Sequence, residues 1–245
     1  MVWYQDDDLW ETIAPLMRSP EALVAAADEV GTVTHRLGIP SGARVLDLGS
    51  GPGAHALAFA ERHMDVTAVD RTASSLQYLA TTARQRDLEV EVVQREMVHF
   101  RRPDAFDLVW ISRSLGLTDS DEHDSTVLRH VHTSLTTGGR VVIRTRGKEA
   151  ALDHLPPRDW SWIRPGVVLL EENEIDQDAH WLSRRLTVAQ QARIRKFETF
   201  ERLYAGSELR RMLTDVGFSS VLVSGDLAGQ PLRDHPTELV VVAER

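Results

Sequence analysis

The N-terminal forty residues place apolar side chains at helical spacing. Leu23, Ala26 and Val30 recur every three or four residues, which is typical of one face of an amphipathic helix. A serine followed by proline precedes this run and forms a helix-start signal. The pattern predicts two N-terminal helices, over Leu9–Met17 and Ser19–Leu37.

From residue 44 onward, short apolar runs alternate with helical patterns. Such alternation predicts parallel strands joined by right-handed helical crossovers. The predicted strands are Arg44–Leu48, Asp65–Val69, Glu89–Gln94, Phe106–Ile111 and Gly139–Thr145, and the predicted helices are Gly53–His63, Thr72–Arg86 and Ser120–Leu135. A helix stop is expected at Thr136–Gly139, directly before the fifth strand.

After Arg146 the pattern changes to β-type alternation broken by polar turns. We expect an antiparallel β-flap, then one more helix and two closing strands with no helix between them. The flap runs are Val167–Glu172, His180–Val188 and Ile194–Tyr204, and the closing elements are Ser207–Val216, Val221–Ser224 and Glu238–Ala243. The predicted fold is α/β: a doubly wound, Rossmann-like seven-stranded sheet with its last strand antiparallel, N-terminal helices and an inserted antiparallel β-flap.

These changes of pattern divide the chain into four predicted segments. Residues 1–40 form a helical lid, and residues 41–146 form the core that binds a cofactor. Residues 147–204 form the flap that covers a substrate, and residues 205–245 complete the sheet. A chain of 245 residues can bury the core that this arrangement needs.

Composition excludes several classes of function. The net charge of −9 argues against a nucleic-acid surface, and no run is apolar and long enough to span a membrane. The absence of cysteine excludes disulfides, thiolate nucleophiles and Cys-ligated zinc, and the histidine-containing stretches lack a ligand set, so we expect no metal. The acidic start, MVWYQDDDLWE, lacks the features of a signal peptide, so a cytoplasmic protein is predicted.

Three glycines, Gly49, Gly51 and Gly53, connect the first strand to a helix. Glycine is used where φ is positive or where a ligand approaches the backbone closely, and a helix N-terminus offers unpaired N–H groups. The turn therefore predicts a socket for a polar cofactor at the carboxyl edge of the sheet. A dinucleotide is one candidate, because the glycines are followed by an acid, Asp70, about 20 residues on.

Asp47 separates the two cofactor classes that use such a socket. It lies two residues before the first glycine, where an anion would repel a diphosphate as water is excluded. The same anion would attract S-adenosylmethionine, which carries an ammonium and a sulfonium and has no phosphate. Asp47 therefore favours S-adenosylmethionine over a nicotinamide dinucleotide.

The stretch VLDLGSGPG, with Asp70 after VTAV, resembles the first two motifs of the class I S-adenosylmethionine-dependent methyltransferases. The TTGG turn before VVIRTR is similar to the turn that precedes the fifth strand in that superfamily. The segments LWETIAPLMRSPEAL, GKE, RDW, LLEE and RLYAGSELRRMLTDVGF resemble a bacterial subgroup with a β-flap insertion, similar to amino-sugar N-methyltransferases of antibiotic pathways.

The resemblance implies roles for residues just after each strand. It puts Asp47 near the cofactor ammonium, the glycine loop at the methionyl part, Asp70 at the ribose hydroxyls, and Glu96 with Met97 at the adenine. Helix capping is the alternative role for Asp70. The residues expected to bind the cofactor are Asp47, Gly49, Ser50, Gly51, Gly53, Asp70, Arg71, Glu96, Met97 and Ser112.

Methyl transfer from a sulfonium needs alignment, and a hydroxyl or ammonium acceptor needs a base as well. His123 is the first candidate base. Arginines near the presumed rim, at positions 113, 144 and 146, would suit a carboxylate or phosphate on the substrate, with ordinary salt bridging as the alternative. The catalytic candidates are His123, Tyr204 and Arg113, and the substrate-binding candidates are Trp10, Arg146, Trp160 and His180.

The predicted function is methyl transfer from S-adenosylmethionine to an O, N or C nucleophile of a small metabolite. One alternative is an enzyme that binds S-adenosylmethionine without methylating and uses the sulfonium to aid a cyclisation or rearrangement. Others are an NAD-dependent oxidoreductase and a regulator that retains the socket. The expected partners are a small-molecule substrate and a second copy of the chain joined through the β-flap, with no nucleic acid and no membrane.

Overall fold

The fold comes from a computed structural model that describes residues 2–118, 120–178, 180–232 and 236–245. Two sheets organise it, one of seven strands and one of four. In chain order the elements are α1 Asp7–Met17, α2 Pro20–Leu37, β1 Arg44–Leu48, α3 Ala54–Ala60, β2 Asp65–Asp70, α4 Ala73–Gln85, β3 Val90–Gln94, β4 Phe106–Ser112, α5 Asp121–Ser134, β5 Leu135–Thr145, α6 Lys148–His154, β6 Arg158–Arg164, β7 Val167–Ile175, β8 Trp181–Gln190, β9 Arg193–Arg202, α7 Gly206–Val216, β10 Ser220–Ser224 and β11 Leu239–Glu244.

The large sheet has the order β10-β11-β5-β4-β1-β2-β3. Strand β11 pairs antiparallel with both of its neighbours, while the other pairs are parallel. The predicted α/β class, the antiparallel last strand and the inserted flap are therefore confirmed. Because β1 to β5 run the same way, their carboxyl ends meet at one edge of the sheet, where ligands bind in such folds.

The two N-terminal helices have the caps that the sequence predicts. The Asp6 carboxylate accepts hydrogen bonds from the amides of Asp8 and Leu9 at the start of α1. The Ser19 hydroxyl accepts from the amide of Ala22 at the start of α2, and Gly38, with a φ of 62°, ends that helix. Among the described residues, no helix combines the length and apolar character needed to cross a bilayer.

Strand β5 begins earlier than predicted. Leu135 already pairs with Phe106, but the ladder resumes only where Arg140 faces Leu108. The expected helix stop at residues 136–139 is thus an irregular first part of the strand, with Gly138 at a φ of 76°. A bulge at this position explains why glycine and threonine precede the regular strand.

The flap has four strands, β6 to β9, where three were expected, and a short helix, α6, precedes it. Strand β6 was missed because its sequence, RDWSWIR, contributes a single side chain, Ile163, to a core. That core lies on the inner face of the flap, where Leu169 and Leu186 pack against Leu9 of α1. The N-terminal helix is therefore held between the flap and the edge of the large sheet.

Candidate active site

A cavity of about 450 Å³ opens at the carboxyl edge of the large sheet. Its floor is the loop between β1 and α3 with the ends of β2 and β4, and its walls come from α1, α2 and the start of α5. This volume is in the range of small-molecule sites. The lining includes most of the predicted cofactor residues, namely Asp47, Gly49, Ser50, Gly51, Asp70, Arg71, Glu96, Met97 and Ser112.

The glycine loop has a backbone that no other residue type fits well. Gly49, Gly51 and Gly53 have φ values of 77°, 53° and 83°. A Cβ at Gly49 would lie 2.5 Å from the Cβ of Ser114, and one at Gly53 would lie 2.4 Å from Cδ1 of Leu79. The loop therefore needs glycine for its conformation and also for its close packing against neighbouring side chains.

Asp70 holds this loop in place. One of its carboxylate oxygens accepts a hydrogen bond from the amide of Gly51, and the other accepts from the amide of Thr72, both at 2.8 Å. The carboxylate thus joins the glycine loop to the start of α4, close to the capping role considered from sequence. Each oxygen keeps a further lone pair with which to accept hydrogen bonds.

Asp47 is a buried carboxylate at the cavity wall. Its side chain is 2 % exposed, and Oδ2 has no hydrogen-bond partner among the described residues. Burial raises the pKa of Asp47 to about 6, and the nearby charge of Asp70 acts in the same direction, while His55 and the amide of Ala56 oppose it. An unpaired buried carboxylate oxygen is costly, so the site is suited to a cationic group.

Arg71 connects the far wall of the cavity to the N-terminus. Its Nε lies 3.2 Å from a carboxylate oxygen of Glu96, and its Nη1 lies 3.0 Å from Asp7 and donates to the carbonyl of Tyr4. Trp10 also lines the cavity, and its indole N–H donates to the same carbonyl of Tyr4 at 2.8 Å. These contacts hold the first turn of the chain over the Asp70 and Glu96 side of the cavity.

His123 lines the opposite end of the cavity, in the first turn of α5. Its Nδ1 lies 3.4 Å from Oδ1 of Asp124, which is buried, and Oδ2 of Asp124 accepts a hydrogen bond from the hydroxyl of Tyr204 at 2.7 Å. A carboxylate behind a histidine fixes its tautomer and leaves the other ring nitrogen free to accept a proton. Sequence reasoning missed Asp124.

Tyr204 does not reach the cavity, which corrects its assignment as a group that meets the substrate. Its side chain is 2 % exposed and belongs to the core between the large sheet, α5 and α7. Burial and the charge of Asp124 raise the pKa of Tyr204 well above its usual range. The phenol therefore stays protonated and donates to Asp124.

Helix α2 supplies a wall that sequence reasoning did not identify. Ala22, Ala25, Ala26 and Glu29 follow one helical face, and this stripe of small residues ending in an acid was the available signal. Burial raises the pKa of Glu29, but the hydrogen bond from His55 at 2.7 Å and the charge of Arg144 outweigh it, so the pKa is lower than usual.

Besides Tyr204, four predicted residues lie outside the cavity lining. Gly53 is the N-cap residue of α3, behind the loop. Trp160 is 58 % exposed on the outer face of the flap, because the inner face of β6 carries Ile163 instead. His180 precedes β8, where its amide donates to Asp176, and Nε of Arg146 lies 3.7 Å from Glu201 of β9. Trp160, His180 and Arg146 are thus corrected as residues that line the site.

One group of acidic and histidine side chains is close enough to share an ion. Donor atoms of Asp176, Asp178 and His180 lie within 4.8 Å of one another, at the turn between β7 and β8. Asp176 already accepts hydrogen bonds from the amides of His180 and Trp181. This group is remote from the cavity lining and carries no functional argument.

The donor set of the cavity fits S-adenosylmethionine. Asp47 offers an unpaired buried anion for a cation, and Ser50 offers a buried hydroxyl without a partner among the described residues. Asp70 offers free lone pairs next to a loop that a ligand can approach closely. The same anion would repel the diphosphate of a dinucleotide.

Comparisons with known proteins agree with this geometry. Residues 45–139 match a family model described as a methyltransferase domain. The chain is 26 % identical over 214 residues to the cypemycin N-terminal methyltransferase of a Streptomyces species, covering 83 % of this chain and 84 % of that protein. It superposes on the CcbJ methyltransferase of Streptomyces caelestis with a TM-score of 0.73 at 19 % identity, over 89 % of this chain and 94 % of that one. It superposes on the sugar N-methyltransferase KedS8 of a Streptoalloteichus species with a TM-score of 0.66 at 21 % identity, over 91 % of this chain and 87 % of that one.

Site and matches together define the class of enzyme: an S-adenosylmethionine-dependent methyltransferase, with a methyltransferase domain over residues 45–139. Its cofactor is S-adenosylmethionine. The prediction of an NAD-dependent oxidoreductase is therefore not supported.

Proposed function

We propose that the enzyme methylates an amine nitrogen of a small molecule, with His123 as general base. The observation that carries this proposal is the position of His123 at the cavity wall, with Asp124 behind its ring. The size of the cavity suits a small acceptor. Nitrogen is favoured because two relatives are described as an N-terminal and a sugar N-methyltransferase.

The residues at the edge of the sheet from β1 to β3 would hold the cofactor. Asp47 Oδ2 would bind the ammonium, the loop of Gly49, Ser50 and Gly51 would accommodate the methionyl chain, and Asp70 would accept from the ribose hydroxyls. Glu96 and Met97 would contact the adenine, with Arg71 fixing Glu96 through its ion pair. Gly53 contributes by letting the loop pack on Leu79.

Bound S-adenosylmethionine supplies an electrophilic methyl group on a sulfonium. The chain contributes alignment and a place for the proton. Nε2 of His123 accepts the proton of the acceptor ammonium, while Asp124 holds Nδ1 and stabilises the positive ring that results. Tyr204 holds Asp124 in turn, so it is a positioning residue.

We propose for the four segments the roles that the sequence suggests. A lid formed by residues 1–40 is supported by Tyr4, Trp10 and Met17, which line the cavity. The flap, residues 147–204, supports that lid, since Arg195 of β9 contacts Asp8 of α1 at 2.9 Å. Residues 41–146 hold the cofactor, and residues 205–245 complete the sheet.

The outer face of the flap joins two copies of the chain. This face carries exposed apolar side chains, with Trp160 at 58 %, Trp162 at 60 % and Ile194 at 65 % exposure. Exposed apolar patches of this kind mark interaction sites. Residues that pair across the four strands form rows on this face. One row alternates in charge and consists of Arg158, Glu172, Arg185 and Glu198.

A second copy fits this face by symmetry. A twofold axis parallel to the strands, between β7 and β8, stacks β6 of one copy over β9 of the other. The charged row then becomes self-complementary, with Arg158 over Glu198 and Glu172 over Arg185. In the next rows, Trp160 meets Lys196 and Trp162 meets Ile194. Such self-complementarity is what an isologous dimer interface requires.

Turnover with a panel of small amines and the matching alcohols tests the acceptor and the base. Release of S-adenosylhomocysteine and the mass of the product are measured for the wild type, His123→Asn and the exposed control His63→Asn. We expect methylated amines only, with turnover lower by about 10²- to 10⁴-fold in His123→Asn and unchanged in His63→Asn. Methylated alcohols, or full turnover by His123→Asn, would contradict the proposal.

A further inference from the structure

Three arginines lie near the ends of β4 and β5, and two of them have a carboxylate within 4 Å. Arg144 is held between Glu29, at 2.9 Å, and Glu238. Arg146 lies beside Glu201. Arg144 is therefore occupied by its two carboxylates. Arg146 has an acidic neighbour but its Nε makes no hydrogen bond among the described residues, and it does not line the cavity.

Arg113 lines the cavity, as Arg144 does, but its carboxylate contacts differ. Within residues 2–118, 120–178, 180–232 and 236–245 its side chain makes no ion pair within 4 Å. Arg113 is exposed, although protein atoms surround much of its side chain. Burial and the charges of Arg144 and Arg146 lower the pKa of Arg113, while Glu201 and Glu238 partly oppose them. No described residue accepts a hydrogen bond from its guanidinium, which carries five N–H donors.

The backbone holds Arg113 in an unusual position. Its φ is 56°, in the left-handed region that side-chain-bearing residues seldom adopt, and its amide donates to the carbonyl of Arg144 at 2.8 Å. Strained residues of this kind cluster at ligand sites. The bend at the end of β4 directs the chain away from the sheet between Ser112 and Ser114, both of which line the cavity.

The location of Arg113 assigns it to the acceptor end. In the sheet, β4 lies on the opposite side of β1 from β2 and β3, which carry Asp70 and lead to Glu96. His123 lies on the same side as Arg113. The amide of Arg113 bonds to the carbonyl of Arg144 at the end of β5, so Arg113 lies on the β4–β5 side of the cavity, away from β2 and β3.

We propose that Arg113 binds an anionic group, a carboxylate or a phosphate, on the acceptor molecule. This inference rests on the proposed function and narrows its substrate class to small amines that also carry an anion. A guanidinium binds either group through two parallel hydrogen bonds, which fix orientation as well as position. With its anion held at Arg113, the acceptor can present its nitrogen to His123.

Binding of simple anions tests this assignment. Inorganic phosphate and acetate are titrated by calorimetry into the enzyme saturated with S-adenosylhomocysteine, and again without it. The variants are Arg113→Gln, Arg113→Lys and the exposed control Arg101→Gln. We expect phosphate affinity to fall by at least about tenfold in Arg113→Gln, less in Arg113→Lys, which keeps the charge but loses the fork, and not at all in Arg101→Gln. Equal affinity in Arg113→Gln, or no anion binding by the wild type, would overturn the proposal.

A second titration separates the acceptor anion from the carboxylate of the cofactor. S-adenosylhomocysteine and 5′-methylthioadenosine, which lacks the amino-acid part, are compared in wild type and Arg113→Gln. We expect both affinities to stay the same. Loss of S-adenosylhomocysteine affinity alone would assign Arg113 to the cofactor and overturn the proposal. Failure of the wild type to bind S-adenosylhomocysteine would instead contradict the cofactor site. The phosphate titration without S-adenosylhomocysteine would still test Arg113 in that case, so the two failures can be told apart.

Discussion

Asp47 combines a structural cost with a proposed binding function in one residue. Its carboxylate is buried, one oxygen lacks a partner among the described residues, and the pKa is raised to about 6. Such a group lowers the stability of a folded protein unless a cation binds to it. In our proposal, burial of an anion beside the glycine loop is the reason why the site prefers S-adenosylmethionine to a dinucleotide.

The raised pKa of Asp47 predicts how cofactor affinity depends on pH. The free protein protonates Asp47 below about pH 6, and a cation binds only the ionised form. The association constant for S-adenosylmethionine should be flat above about pH 7 and fall toward about tenfold per unit below pH 6. Calorimetry from pH 5 to 8 measures this. Affinity that stays constant across that range would mean that Asp47 does not face the cofactor cation.

At the scale of single residues, the site residues that lie close together in sequence could be predicted. Pairs of residues that are far apart in sequence could not. Asp47, the glycines and Asp70 follow from a strand, a turn and a helix that are adjacent in sequence. Asp124 and Tyr204 are 80 positions apart, and only packing of α5 on the core brings them together. The contact of Arg144 with Glu29 and Glu238 likewise depends on α2 and on the segment before β11.

Among the elements, the glycine loop is the one whose shape is most constrained. In Gly49→Ala, the new Cβ would lie 2.5 Å from Ser114 while φ is 77°. We expect the free energy of unfolding to fall by about 1–3 kcal/mol and S-adenosylmethionine affinity to fall by at least about tenfold. Chemical denaturation and calorimetry measure the two effects.

Gly38→Ala is the matched control for this prediction. Gly38 has a φ of 62°, but nothing lies within 4 Å of a Cβ placed there, and it ends α2 away from the cavity. The control should lose about 1 kcal/mol of stability through backbone strain and keep its cofactor affinity. Equal loss of affinity in both variants would show that the clash at Gly49 is not what matters.

Element boundaries were predictable where one face of an element is buried. Strands β1 and β2 and helices α1 and α2 show clear apolar periods, and their bounds differ from prediction by two residues or fewer. Strand β6 could not be predicted, because Trp160 and Trp162 point outward and leave no alternating core pattern. The wall formed by α2 was also missed, since alanines at helical spacing usually indicate packing.

At the scale of the whole molecule, the flap face predicts a twofold dimer. Trp162→Glu places a charge where Ile194 of the second copy would pack, so analytical ultracentrifugation should show a monomer. Val24→Glu, on a valine that is 62 % exposed outside the flap, should leave the dimer intact.

Charge reversal across this interface adds a sharper test. Arg158→Glu or Glu198→Arg alone should weaken the dimer by placing like charges together, and the double variant should restore part of the association. A wild type that sediments as a monomer would refute the interface. If the double variant forms a weaker dimer than either single variant, the proposed position of the twofold axis is refuted.

The most direct test of the central claim is the affinity of S-adenosylmethionine for Asp47→Asn, measured by calorimetry at pH 7.5 beside the wild type. We predict that the variant binds S-adenosylmethionine at least about tenfold more weakly than the wild type. Without ligand, however, the free energy of unfolding of the variant should be higher. A rise of the pKa from 3.8 to about 6 means that the ionised carboxylate destabilises the fold above pH 6, by up to about 3 kcal/mol. The wild type should not bind NADH. Unchanged S-adenosylmethionine affinity in a folded Asp47→Asn variant would contradict the account.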